Sequence, residues 1–196
     1  MEENRLARIR RFSAAGALAA LTGIAVMQPL PATGADGKGI PSPDRLARGK
    51  YLVTTSGCND CHTPWKMGAA GPEPDMTRML SGHPEKMDLP APPALAGPWV
   101  MTAAATNTAW SGPWGISFTA NLTPDPETGL GKWTLRNFRD TIRTGRHMGR
   151  GRPILPPMPI PMYKHFTDED LDAIYSYLRA IPPVRNRVPE PLPPRQ

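Results

Sequence analysis

The 196-residue chain has little cysteine and little histidine, 2 of the first and 4 of the second. Two thiols can close one bridge at most, so no disulfide framework compensates for a thin core. Aromatic residues make up only 7% and charged residues 20%, while hydrophobic residues reach 39%. That is enough apolar material for a fold and excludes disorder along the whole chain. No apolar run reaches the ~20 residues that span a bilayer, and no internal repeat is visible. Regular patterns are short because 26 Pro and 18 Gly interrupt them, which excludes a coiled coil or a helical array. A sequence this poor in core residues and this rich in proline is expected to fold around something else.

The first 35 residues have the three parts of a secretory signal peptide. Arg5, Arg8, Arg10 and Arg11 precede the uncharged stretch 13–27, and small residues follow at Thr33, Gly34 and Ala35. Cleavage would remove four Arg and two Glu from a formal charge of +6, leaving +4, and would place the protein in the periplasm. The organisation expected is a leader over 1–35, a domain over 36–183 and a Pro-rich extended tail over 184–196.

Three helices are expected. Ser42, Pro43 and Asp44 look like a cap, a first-turn proline and a first-turn acid, with Leu46, Gly49 and Val53 on one face and an end near Thr55. A second helix starts at Thr134, with Leu135, Phe138 and Ile142 in register and Gly145 to end it. The third has Thr167 and Asp170 as a capping box, an apolar stripe through Leu171, Ile174, Leu178 and Ile181, and a stop at Pro182 and Pro183. Residues 63–132 show neither period and are read as irregular, with a short helix near 75–80.

The chemistry lies in Cys58-Asn59-Asp60-Cys61-His62. CxxCH is the attachment motif for a c-type haem, whose vinyl groups take the two thiols while the adjacent imidazole reaches the iron. Two rivals use the same residues. A zinc site would need further ligands from His83, His147 or His165, and a thioredoxin-like pair would want a βαβ context that the sequence lacks. For the iron's sixth position Met158 is preferred, because Pro156, Pro157 and Pro159 restrict its backbone, with Met162 and Met148 as competitors. The second ring nitrogen of His62 should donate to a backbone carbonyl, expected near Pro64. Trp133, Asn121 and Arg143, Arg146, Arg150 and Arg152 are propionate donors by type, and the same arginines could form a positive rim for an acidic partner. No long basic stripe suggests nucleic acid.

Residues 48–53 before CxxCH and the late helix ending Tyr175-Ser176-Tyr177-Leu178-Arg179 resemble class I cytochrome c domains. More specifically, Asn121-Leu122-Thr123-Pro124-Asp125, then 128–131 with Trp133, then Pro156-Pro157-Met158-Pro159 are similar to motifs in the cytochrome c subunits of bacterial membrane-bound alcohol and sugar dehydrogenases. The resemblance runs over about 42–183. Those subunits typically carry three CxxCH motifs, and this chain carries one. The resemblance implies an all-α class I cytochrome c fold with a long irregular insert, 63–132, wrapping the haem and turning its tryptophans inward. It also implies one covalent haem c held by Cys58 and Cys61, with His62 and Met158 as iron ligands. The first and third helices should cross at Gly49, with Tyr175 filling the space beside it. The function implied is single-electron transfer from a periplasmic dehydrogenase to a respiratory acceptor, with membrane association only through a partner or an uncleaved leader, and no catalysis of its own. An enzyme with an open sixth position acting on peroxide or another small molecule is the alternative, and a haem-free metal-binding or redox module is a third reading.

Overall fold

The computed structural model describes residues 41–194, so the signal-peptide expectation for 1–35 lies outside the described residues. The first long helix, α1, runs Pro43–Thr55, and Ser42 Oγ caps it by accepting from the Arg45 amide at 3.3 Å. The last, α5, runs Asp168–Ala180 behind Thr167, whose hydroxyl accepts from the Asp170 amide at 3.1 Å. Their buried faces, Gly49, Leu52 and Val53 on one and Leu171, Ala173, Ile174 and Leu178 on the other, supply most of the core.

The crossing is close at one point. A Cβ on Gly49 would stand 2.0 Å from the Ala173 carbonyl oxygen and 2.7 Å from Tyr177 Cβ. Ala173 and Tyr177, not Tyr175, therefore meet the glycine. Tyr175 lies elsewhere, donating to the Trp133 carbonyl at 2.6 Å and tilting its ring against Phe138.

Between these helices lie α2 (Cys58–His62), α3 (Leu135–Thr144) and α4 (Ile160–Tyr163). A full capping box between Thr134 and Asn137 starts α3, and Gly145 ends it at φ 66°. Arg139 Nε donates to Asp172 Oδ1 at 2.6 Å and ties α3 to α5.

The all-α expectation is overturned. Only 33% of the described residues are helical, and 14% belong to strands arranged in two small antiparallel sheets. One is a hairpin of β1 (Trp65–Gly68) and β2 (Gly71–Pro74). The other has β3 (Thr102–Ala103), β4 (Ala109–Gly112) and β5 (Gly115–Phe118) in sequential order. All five strands fall inside the segment read as irregular. None exceeds four residues, too short to establish a period of 2, and two positions of β2 are proline, which a two-stranded edge tolerates. The short helix expected near 75–80 is a 3₁₀ turn over Met76–Arg78, capped by the Asp75 carboxylate.

Residues 184–194 contain no helix and lie along the body. Leu192 and Ile116 exchange backbone hydrogen bonds of 2.9 Å in each direction, so the segment pairs with β5 on the side away from β4. The loop before α3 is closed by Asp125, which is buried and whose Oδ1 accepts from the Thr128 amide and hydroxyl at 2.7 Å and from the Glu127 amide at 3.1 Å.

Two outcomes follow for stability. Gly49→Ala forces backbone against backbone at the α1–α5 crossing and should cost about 1–3 kcal/mol in denaturant unfolding. The Thr128 hydroxyl and the amides of Thr128 and Glu127 hold the Asp125 carboxyl below its ordinary value. Folding thus favours the carboxylate, and its stabilisation is complete above the unfolded value of ~3.9 and fades as pH falls through the lower folded value. Asp125→Ala should be less stable at neutral pH and should show a shallower loss on acidification, read as denaturation midpoint against pH.

Candidate functional site

The CxxCH segment follows α1 at once: Gly57, at φ 70°, turns the chain in the left-handed region and starts α2. One turn of helix then sets Cys58, Cys61 and His62 at the edge of a cavity of about 380 Å³. The opposite boundaries are built by α3, α5, the end of β5 with the irregular residues 119–122 that follow it, and the segment 154–160. Phe138, Ile142, Leu171, Ile174 and Leu178 face this space, so the core of the molecule is a lining.

Met158 lines the same cavity as the two cysteines and His62. Its rivals do not: Met162 is 71% exposed, and neither it nor Met148 reaches the cavity. The Pro-rich loop that carries Met158 is tied down by Ser117 Oγ, which donates to the Pro156 carbonyl at 2.6 Å, and by the Ile160 amide, which donates to the Met158 carbonyl at 2.8 Å.

His62 is buried. Its Nδ1 lies 2.7 Å from the Ala120 carbonyl oxygen, so Nδ1 carries the proton and Nε2 keeps its lone pair. Burial lowers the ring's pKa, against the smaller opposing effect of that carbonyl, and keeps it neutral as a ligand must be. The acceptor is Ala120, and the carbonyl of Pro64 instead accepts from the Asp75 amide at 2.8 Å. Nothing local in the sequence points to Ala120, because it is 58 residues away and reaches His62 only through the path of β5.

Cys58 and Cys61 form no disulfide with each other, and burial pushes the Cys58 thiol up to about 11 and raises Cys61 as well. A redox dithiol needs the opposite shift, toward thiolate, which disfavours the thioredoxin-like reading. Tyr163 closes the space behind Cys58 by donating its hydroxyl to the Ser56 carbonyl, and burial pushes its pKa up to about 12. Among the described residues no three His, Cys, Asp or Glu side chains gather as a metal-binding group. Of the candidate zinc ligands, His147 lines the same cavity, edge-on to Trp133 with ring centroids 5.1 Å apart, while His83, fully buried against Thr108, and His165 lie outside the lining.

The insert does not turn its tryptophans toward the cavity. Trp65, Trp99, Trp110 and Trp114 lie outside its lining, Trp99 is 73% exposed, and Trp65 Nε1 donates to the Asp60 carbonyl at 3.0 Å. Trp133 does line it. Of the candidate propionate donors, Asn121 and Arg152 also reach the lining, but Asn121 commits its amide to the Val184 carbonyl at 2.8 Å. Arg143 turns away to Asp168 at 2.6 Å, and Arg146 to the Gly151 carbonyl at 3.1 Å. Reasoning from sequence missed the stretch 187–191, where Arg187, Val188, Pro189, Glu190 and Pro191 all line the cavity. Arg152 and Glu190 meet at 3.1 Å beside it. The density of proline in this stretch is visible in the sequence, but it reads equally as a free extended tail.

No family model matches the chain. Among curated proteins, it is 34% identical to the gluconate 2-dehydrogenase cytochrome c subunit of Pantoea cypripedii over 71% of this chain and 24% of that subunit. It is 28% identical to the cytochrome c subunit of the quinone alcohol dehydrogenase of Gluconobacter oxydans, over 74% of this chain and 24% of that subunit. It is 37% identical to one of the subunits of the nicotinate dehydrogenase of Pseudomonas putida, over 44% of this chain and 7% of the relative. The chain thus spans a quarter or less of the curated relatives it matches. The first two relatives are cytochrome subunits of dehydrogenases and not the catalytic subunits. The chain resembles one stretch of the cytochrome c subunits of bacterial alcohol and gluconate dehydrogenases, and that likeness supports a c-type cytochrome.

Proposed function

We propose that this chain is a periplasmic monohaem c-type cytochrome, and that it passes single electrons from a dehydrogenase to a respiratory acceptor through a His/Met-ligated haem. The observation that carries the reading is the convergence of Cys58, Cys61, His62 and Met158 on one cavity lined otherwise mainly by apolar side chains. These donors fit the group: two thiols for the thioether bonds, a neutral imidazole with a free Nε2, and a soft thioether. Bound there, haem c supplies an iron that alternates between two oxidation states.

The protein's part is to hold that centre still and dry. With His62 and Met158 both holding the group, no donor position would be left for substrate, which is what a carrier needs, and a rigid site would have little to reorganise when charge changes. The neutral thioether of Met158 favours the reduced state relative to a second imidazole, so the potential is expected to lie above that of a bis-His site. The apolar faces of α3 and α5 exclude water and favour the reduced state further by making the extra positive charge of the oxidised centre costly. The partners are redox proteins, with a periplasmic dehydrogenase as donor, and the leader 1–35 exports the chain. No helix of the described residues is long and apolar enough to cross a membrane.

Two measurements test this. Purified wild-type protein should keep its haem after denaturation and acid extraction, and Cys58→Ala with Cys61→Ala should release all of it. The oxidised wild type should show the weak red-end band of iron–sulfur ligation and resist carbon monoxide and cyanide. Met158→Ala should lose the band and bind both. A wild type that binds these ligands freely has an open site, and an enzyme acting on a small molecule then replaces the carrier.

A further inference from the structure

Asn186 is 3% exposed and uses every polar atom of its side chain on a distant part of the chain. Its Nδ2 donates to the carbonyls of Ser81 at 2.7 Å and His83 at 2.8 Å. Its Oδ1 accepts from the Glu85 amide at 2.9 Å and from Arg78 Nη2 at 3.3 Å. Its own amide donates to Thr128 Oγ1 at 3.0 Å, and its carbonyl accepts from Asn121 Nδ2 at 3.3 Å. A surface tail would not be fastened in this way, since a buried amide that lost these partners would carry an uncompensated desolvation cost.

The two carbonyls that Asn186 grips flank Gly82, and Gly82 stands between the His62 backbone and the peptide that accepts from the His62 ring. Its amide donates to the His62 carbonyl at 2.7 Å. At φ 76° it also lies flat on the peptide that follows β5: a Cβ here would fall 2.4 Å from the Thr119 oxygen and 2.6 Å from the Ala120 carbonyl carbon. The His83 amide holds the same stretch by donating to the Thr119 carbonyl at 3.0 Å. The Ala120 oxygen is the acceptor of the His62 ring proton. The turn 81–83 is therefore pressed between the His62 backbone and the partner of its ring, and the C-terminal segment holds it there.

We infer that Asn186 is a positioning residue for His62, which acts through the Gly82 turn to keep the Ala120 carbonyl on the ring nitrogen. A well-placed acceptor on Nδ1 makes Nε2 a stronger electron donor, and loosening it makes the imidazole a weaker one. On the reading of the cavity as a haem site, on which this consequence rests, a weaker imidazole disfavours the oxidised iron and the reduction potential rises.

The test uses the full chain with Asn186→Ala, Asn186→Asp and, as a control, Leu192→Pro, which removes the amide that donates to Ile116 at 2.9 Å and loosens the same segment at its far end. Asn186→Asp keeps the size and the acceptor oxygens but loses the donor to Ser81 and His83, and it carries the test if Asn186→Ala does not fold. Two quantities are read: the reduction potential, and the rate at which the His62 Nδ1 proton exchanges with solvent, followed by NMR. Asn186→Ala should raise the potential, and both Asn186 variants should speed the exchange at least tenfold, while Leu192→Pro moves neither. Unchanged potential and exchange in the Asn186 variants, or equal changes in Leu192→Pro, overturn the inference while leaving the haem reading intact. A wild type purified without covalent haem removes the haem reading, and the proton exchange then decides the positioning role alone.

Discussion

The bond from His62 Nδ1 to the Ala120 carbonyl is the constraint on which the rest of the molecule depends. It joins α2, which follows α1 directly in the chain, to the residues just after β5, and both partners line the cavity. A CxxCH turn by itself presents an imidazole that can rotate and take either tautomer. One acceptor at 2.7 Å removes both freedoms. The three-stranded sheet serves this bond: β4 and β5 carry the chain to a point where a carbonyl can face the ring. Thr119, the residue before that carbonyl, is itself held by its amide, which donates to the Thr108 carbonyl at 2.9 Å.

The helices answer a different need. Crossing at Gly49, α1 and α5 bury one continuous apolar face, and α3 is fastened to α5 through Arg139 and Asp172. This half packs as helical proteins generally do, ridge against groove, and its interior turns toward the cavity instead of closing on itself. Leu171, Ile174 and Leu178 belong both to the core and to the lining. A group bound in the cavity would therefore act on the same residues that hold α1 to α5, and its binding would be coupled to folding.

What was legible in the sequence tracks the range of the interaction. The caps at Ser42, Thr134 and Thr167 and the stripes of α1, α3 and α5 depend on residues three or four apart, and they stand where the pattern places them. The CxxCH motif is local too. The flanking prolines already favour Met158 over Met162 and Met148 in the sequence, and of these three it alone lines the cavity. The strands were not legible, because pairs such as Trp110 with Ser117 sit in runs of four residues whose alternation ends before it can be distinguished from chance. The Ala120 acceptor and the Asn186 clamp were out of reach altogether, since any residue can supply a backbone carbonyl and one asparagine among prolines carries no signature of burial.

The unusual proline content follows from a protein built around a cavity. A wall beside an apolar group cannot leave amides unsatisfied, and it cannot rely on side-chain interdigitation from both sides to make it rigid. Proline answers both demands by removing the donor and fixing φ. Pro156, Pro157 and Pro159 flank Met158, and Pro189 and Pro191 form part of the wall supplied by the C-terminal segment. A chain so restricted loses less conformational entropy on folding than a flexible one, which offsets the modest apolar burial that 39% hydrophobic residues allow. The composition that excluded long regular structure is thus the one that lets short irregular segments hold a thioether and an imidazole in place.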